Sequence, residues 1–471
     1  MEVKMPIVER EFKIGLLVTA LLEDRFNKTG HIRPQARKAA VEYEKKLSAF
    51  GNVINPGFFE YEDEAVRAAR KLKGEDVDMI VFIELAYQKG LIPMRALLEF
   101  DVPILIWNTQ FIREFGSDAD FDLIMLNSGM AGLPEVTSSL IRSKKDFFIV
   151  VGDIDDEEAL DEIENYIKAV RTVSRLKNAR VGIIGHPFEG MTDLMQDNYA
   201  VLEKFGVTVW PVDHDLVIDA FLGVREKEAE ELIEKERNRG RNIKVDNEMM
   251  VRSAKLALAL EKVVNDYKVD AIAEFDQVWL SDERVGIIPF FGTSRMVENH
   301  VPFTCEADVL RAIAMLILEE IAGHSTFLEH YILDYKTNLM FNSHDGHGNP
   351  SLADEKFGVD IVPTIYYEGV HGFGASFNYS YKPGKVTLFS IGNIGDGNFQ
   401  FISSQGEFKE MKPRDIAAPQ TFFRWEKNDI KEFSKKWLYA APSHHHTAAY
   451  GSLNDVISIV AGMLGINHKV I

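Results

Sequence analysis

The N-terminal third of the chain alternates short apolar runs with amphipathic stretches. Lys13 to Leu22 (KIGLLVTALL) reads as a buried strand. Arg33 to Phe50 reads as a helix with Ala39, Ala40, Tyr43, Leu47 and Phe50 on one face. Val53 to Phe59 is a second strand, Asp63 to Lys73 a second helix, and Val77 to Ile83 a third strand that is apolar almost throughout. Pro93 to Phe100 is helical and Val102 to Ile106 is a further strand. Strands alternating with helices predict a parallel sheet covered on both faces. Ligands of such sheets sit beyond the C-terminal ends of the strands. Trp107-Asn108-Thr109-Gln110 falls at such an end, either as an ordinary βα loop or as the wall of a sugar pocket.

A long amphipathic helix, Asp153 to Lys177, links this part to a second alternation. Val181 to Ile184 is a strand, Gly185 to Gly190 a loop, Met191 to Phe205 a helix and Val207 to Val212 a strand. The glycines make neither GxGxxG nor GxxxxGK[ST], so no nucleotide cofactor is expected. Arg225 to Lys244 is charge-rich and reads as a solvated helix and loop. Met249 to Asp266 is a helix and Asp270 to Glu274 a strand. After Pro350 the texture changes. Val359 to Tyr367, Ser376 to Tyr381, Lys385 to Ile391 and Phe399 to Ser403 are short strand-like runs between Gly-rich turns, the pattern of an antiparallel β domain. Trp437 to Ala441 reads as a strand leading into a run of three histidines. No long helical pattern is expected before Ser452 to Leu464.

The candidate chemistry gathers at Thr304 to Pro350. Val309 to Leu318 is interrupted only by Arg311 and reads as a buried helix. Thr304 is the expected N-cap, which places Glu306 in the first turn near the positive end of the helix dipole. Phe327 to Asp334 and Leu339 to Phe341 form a hairpin around the four-residue loop Tyr335 to Asn338. With Asp334 opposite Leu339, an unbroken register sets Glu329 against His344, with Cβ atoms about 5 Å apart. A slip of one residue would send them to opposite faces. A further histidine in Ser443-His444-His445-His446-Thr447 would complete two carboxylates and two imidazoles, a donor set suited to Mn²⁺, Co²⁺ or Fe²⁺. Successive residues of an extended chain alternate faces, so at most one or two of the three histidines reach one ion.

Composition narrows the partners. The 471 residues carry a formal net charge of −20 and are 46 % hydrophobic, enough for two or three domains with sizeable cores. That acidity excludes a nucleic-acid partner and an anionic membrane surface. The single Cys305 excludes an internal disulfide and a cysteine metal cluster and reads as a buried thiol. The N-terminal stretch lacks a signal peptide's apolar core, and no run reaches about 18 uninterrupted apolar residues. A cytoplasmic protein is expected.

These motifs resemble those of the L-arabinose isomerase family, within the wider L-fucose/L-arabinose isomerase group. Cys305-Glu306-Ala307-Asp308-Val309 matches the family's segment carrying a metal-binding Glu. Ser325 to Tyr331 matches its TSFMEDY-like segment at Glu329, and Asn342-Ser343-His344-Asp345 its GSHM-like segment at His344. Pro442 to Thr447 matches its GGAHHT-like segment. The resemblance implies that Glu306, Glu329, His344 and His446 hold the metal, Mn²⁺ or else Co²⁺ or Fe²⁺. His445 would be a neighbour on the substrate side. Asn108-Thr109-Gln110-Phe111 matches the family's HTQF, which implies that Gln110 contacts the sugar. Arg295 also falls where the family has an arginine.

The resemblance further implies two Rossmann-like α/β domains, over residues 1–177 and 178–325, and a C-terminal β-barrel domain over 326–471. It implies a homo-oligomer, hexameric or trimer-based, with active sites at subunit interfaces. The implied activity is metal-dependent aldose–ketose isomerisation through an enediol(ate), with Glu306 and Glu329 catalytic. Two segments depart from the family pattern, Thr19 to Arg25 and Asp345 to Pro350, which suggests the same reaction on a different sugar. The competing readings are another metal-dependent sugar enzyme, an epimerase or hydrolase, and a non-catalytic sugar-binding protein.

Overall fold

The computed structural model describes residues 11–22, 32–365 and 371–471. Of the divergent segment Thr19 to Arg25, positions 23–25 lie outside the described residues, as does the end of the strand expected over Val359 to Tyr367. The chain forms two compact units, Glu9–Ser174 and Arg175–Ile471.

In the first unit, five parallel strands stand in the order Asn52–Ile54, Lys13–Thr19, Met79–Glu84, Ile104–Asn108, Phe147–Val151. The apolar runs become central strands. Met79–Glu84 is buried along its whole length, as a sheet with two covered faces requires. Helix Glu62–Glu75 packs Ala65, Ala68, Ala69 and Leu72 against that sheet. Strand Phe147–Val151 and helix Gly129–Arg142 were not anticipated from the sequence.

The second unit holds a four-stranded parallel sheet and a closed barrel. The sheet order is Phe303–Thr304, Ala271–Glu274, Arg180–Ile184, Thr208–Val212. Six antiparallel strands close the barrel: Thr326–Asp334, Leu339–Ser343, Pro419–Trp425, Asn398–Lys409, Gly384–Gly395 and His445–Tyr450, which returns to the first. Closure leaves no free edge among these strands. Leu328, Met340, Leu388, Ile402, Phe423 and Ala448 fill the inside. The expected fold class, two parallel-sheet α/β regions followed by an antiparallel β-barrel, is the one observed. Gly392 to Gly397 is the turn region of the hairpin between Gly384–Gly395 and Asn398–Lys409, as its pattern suggests.

Helix Val309–Ala322 joins sheet to barrel and is buried from Val309 through Glu319, the expected fate of a helix apolar all round. Two expectations are corrected here. The N-cap is Asp308, whose carboxylate accepts from the Arg311 backbone N–H at 3.0 Å, so Glu306 precedes the helix. Thr304 instead ends a short strand and donates its hydroxyl to the Asp308 carbonyl at 2.8 Å. Of the stretch expected as strand Trp437 to Ala441, Trp437 to Tyr439 end helix Ile430–Tyr439 and Ala440 is its C-cap. Asp429 caps that helix, and Ile430, Phe433 and Trp437 recur with its period.

Candidate metal centre

The hairpin Thr326–Asp334/Leu339–Ser343 begins in the expected register, with Asp334 opposite Leu339 and Ile332 opposite Phe341. A bulge at Tyr331 then shifts the pairing by one, so Glu329 opposes Ser343 and not His344. His344 nevertheless reaches Glu329. It lies one residue past the strand end, where strict alternation no longer fixes its direction.

The barrel's last strand decides which histidine joins them. Glu329 pairs with His445, and Leu328 pairs with His446. Pleating therefore sends His445 to the outer wall with Glu329 and His446 to the inside with Leu328. Glu329, His344 and His445 present ligand atoms within 4.8 Å of one another, and so do Glu306, His444 and His445. His446 is in neither group. Its ring stacks on His330, centroids 4.0 Å apart, and lies edge-on to Trp437. The strand register thus brings His445, and not the expected His446, to the side of Glu329 and His344.

Glu306 comes from the loop after strand Phe303–Thr304, at the C-terminal end of the second sheet. Glu306 and Ala307 both have left-handed backbone, φ 59° and 56°. Such conformations are costly for non-glycine residues and persist where surroundings impose them. Here Asp276 accepts from the Glu306 N–H at 3.0 Å, Phe188 donates its N–H to the Glu306 carbonyl, and Ala307 donates to the Glu274 carbonyl. Phe188 belongs to the loop Gly185 to Gly190, which thereby holds Glu306 in place.

His445 is fully buried. Its Nδ1 lies 3.0 Å from Asp308 Oδ2, and its Nε2 lies 3.3 Å from Glu306 Oε2 with no hydrogen-bond partner among the described residues. An imidazole with one nitrogen bound to a carboxylate and the other aimed without a partner at a carboxylate cluster is the arrangement of a metal-ligating histidine. Arg311 supports it from the connecting helix: its guanidinium donates to Ser390 Oγ and to the Ile391 and His445 carbonyls, with Asp308 beside it. Burial pushes Asp308 up, and the charges of Arg311 and His445 outweigh it and hold the carboxyl below its usual range.

Burial dominates the remaining electrostatics. It raises the Glu329 carboxyl, and it drives His344 well below the usual imidazole range. Behind Glu306, burial and the Glu306 charge lift Asp276 to about 7. Cys305 is buried, as expected, and its thiol is raised by desolvation. The donor set of two carboxylates and several neutral-capable imidazoles fits a divalent ion such as Mn²⁺, Co²⁺ or Fe²⁺.

Other sequence candidates lie elsewhere. Gln110 is in the Glu9–Ser174 unit, where Asn108, Thr109, Gln110, Arg113 and Asp153 line a cavity at the ends of strands Ile104–Asn108 and Phe147–Val151. Trp107 is buried, edge-on to Tyr43 at 5.0 Å, and donates to the Gly152 carbonyl, so it packs the core. Arg295 is buried in an ion network with Glu236 and Glu261. The sequence pattern gives no role to Asp193, Asp308 or Tyr331 and leaves His444 as one of three histidines of which one or two could reach an ion. Only the alternation rule, applied to the histidine run against Glu329, carried a signal for the exchange of His445 and His446.

In comparison with known proteins, residues 324–467 of the chain match the family model of the L-arabinose isomerase C-terminal domain. Its relatives include the sulfoquinovose isomerase of Priestia aryabhattai, 22 % identical over 411 residues, covering 85 % of this chain and 86 % of that one. The sulfoquinovose isomerase of Alkalicoccus urumqiensis is 24 % identical over 344 residues, covering 72 % and 74 %. The L-arabinose isomerase of Shouchella clausii is 21 % identical over 385 residues, covering 79 % and 77 %. The resemblance to the arabinose isomerase family therefore extends, at low identity, over most of the chain. Among the described residues no helix is long and apolar enough to cross a membrane.

Proposed function

We propose that the protein is a metal-dependent aldose–ketose sugar isomerase, with Glu306, Glu329, His344 and His445 holding the ion. The observation that carries this is His445: a buried imidazole, backed by Asp308, whose unpartnered Nε2 faces Glu306 in the cluster shared with Glu329 and His344. A bound divalent cation would supply Lewis-acid polarisation of the sugar's carbonyl oxygen. Isomerisation must take a proton from a carbon beside the carbonyl and return one to its neighbour, passing through an enediol. Glu306 and Glu329 are the carboxylates available for that proton. Gln110 is retained as a sugar-binding residue, and the assembly as a homo-oligomer, hexameric or trimer-based.

The names of the relatives set the first substrates to try: L-arabinose and sulfoquinovose, within a panel of pentoses, hexoses and 6-deoxyhexoses. EDTA-stripped protein reloaded with Mn²⁺ is incubated with each sugar in D₂O and followed by proton NMR. Deuterium entry at C1 or C2 with ketose formation, dependent on metal, supports the reading. Metal-loaded protein silent on every sugar would move the reaction class to an epimerase, a hydrolase or a non-catalytic sugar binder.

A further inference from the structure

His444 stands just before the strand His445–Tyr450, so strand alternation does not turn it away from its neighbour. Its ring lies 3.9 Å, centroid to centroid, from that of His445. The Asp193 carboxylate fixes it. Asp193 Oδ2 lies 2.7 Å from His444 Nδ1 and also accepts from the His444 backbone N–H and the Ser443 hydroxyl, each at 2.8 Å. The other nitrogen, Nε2, is 3.3 Å from Glu306 Oε2 and 3.9 Å from Glu329 Oε1. Two consecutive histidines thus share a plan, although His444 Nε2 hydrogen-bonds Glu306 Oε2 while His445 Nε2 has no hydrogen-bond partner among the described residues. Each has Nδ1 on an aspartate, Asp308 for His445 and Asp193 for His444, and each has Nε2 at 3.3 Å from the same oxygen of Glu306.

We propose that His444 is a fifth ligand of the divalent cation, with Asp193 as the carboxylate that orients it. This rests on the metal-centre reading above. A carboxylate on Nδ1 selects the tautomer that offers Nε2 to an ion and raises its basicity. Three imidazoles beside two carboxylates bias the centre toward ions that favour nitrogen, such as Co²⁺ or Fe²⁺, relative to Mn²⁺. His444 is one-third exposed while His445 is fully buried, which makes it the ligand nearest to solvent.

The test uses the full chain, stripped with EDTA and titrated with Co²⁺ and with Mn²⁺ against a competing chelator. The Co²⁺ visible absorption spectrum is read in parallel. Wild type is compared with His444→Ala, His444→Gln and Asp193→Asn, with Glu306→Gln and His445→Ala as controls and circular dichroism to verify folding. Asp193→Asn is expected to weaken Co²⁺ binding about 10- to 100-fold, and His444→Ala by at least as much. The Co²⁺ spectrum should change in His444→Ala, and Mn²⁺ affinity should fall less. Unchanged spectrum and affinity in both His444 variants, while Glu306→Gln and His445→Ala lose the metal, would reduce His444 to an ion-pair partner and overturn the proposal. If those two controls bind metal like wild type, the metal centre itself is wrong and the proposal falls with it.

Discussion

Strand His445–Tyr450 divides two clusters of buried imidazoles that differ in one respect. On the outer wall His445 leans on Asp308 and faces Glu306, with His344 and Glu329 alongside. On the inner wall His446 stacks on His330 among Trp437 and Phe433, with no carboxylate paired to either ring among the described residues. Inside, burial pushes His330 down to about 4 and His446 well below its usual range, and neither His446 nitrogen has a hydrogen-bond partner among the described residues. Burial is common to both sides. Carboxylates within reach of the rings are what separate the candidate ligands from core residues.

The strongest way to break this contrast is to remove the outer cluster's charges. Glu306→Gln or Glu329→Gln is expected to lower turnover about 10²- to 10⁴-fold with the circular dichroism melt little changed, and near-full activity in either variant would dismiss the assignment. Next comes the support between the two walls. Arg311→Leu leaves Asp308 buried without its countercharge and is expected to cost about 3–5 kcal/mol in denaturant unfolding; a loss under about 1 kcal/mol would mean that the guanidinium is dispensable. The paired substitution sharpens the comparison directly. His445→Ala should abolish metal retention by mass-spectrometric metal analysis, whereas His446→Leu should keep it. His446→Leu removes a buried polar ring without partners, so stability should be unchanged or rise by about 1 kcal/mol.

The smallest effect concerns a third imidazole. His468, on the edge strand beside the barrel, is held at about 4 by burial, with Ser403 and Ser458 hydroxyls as its neighbours. Its folded value lies below the ordinary 6.5, so the unfolded chain binds more protons between those limits. Its contribution to stability is complete above about pH 6.5 and is lost as pH falls toward 4. His468→Gln should flatten the pH dependence of the melting temperature in that window, and an unaltered slope would remove His468 from the account.

Much of this was legible from the residues. Apolar runs located the sheets, and the turn Tyr335 to Asn338 located the hairpin, because both follow from local chemistry. The bulge at Tyr331 was not legible. It shifts the pairing by one residue, and no local pattern in the sequence records it. Trp437 to Ala441 misled because WLYAA is apolar enough for a strand, while the deciding cap at Asp429 and the recurrence of Ile430, Phe433 and Trp437 lie upstream. For the histidine run, resemblance favoured His446 and pairing with Glu329 favoured His445. Only the pairing is tied to where a side chain points.

Barrel closure has a consequence for the order of synthesis. Glu306, Glu329 and His344 precede most of the barrel in the chain, and His445 arrives on its final strand, 137 residues after Asp308. A ribosome that has released five of the six strands has made a sheet with two open edges and a cluster of carboxylates lacking its central imidazole. The same strand supplies the missing hydrogen bonds and the missing nitrogen. Ring and candidate ligand cluster are completed by the same strand, so on the proposed metal reading cation uptake by a nascent or truncated chain would report that the last stave is in place.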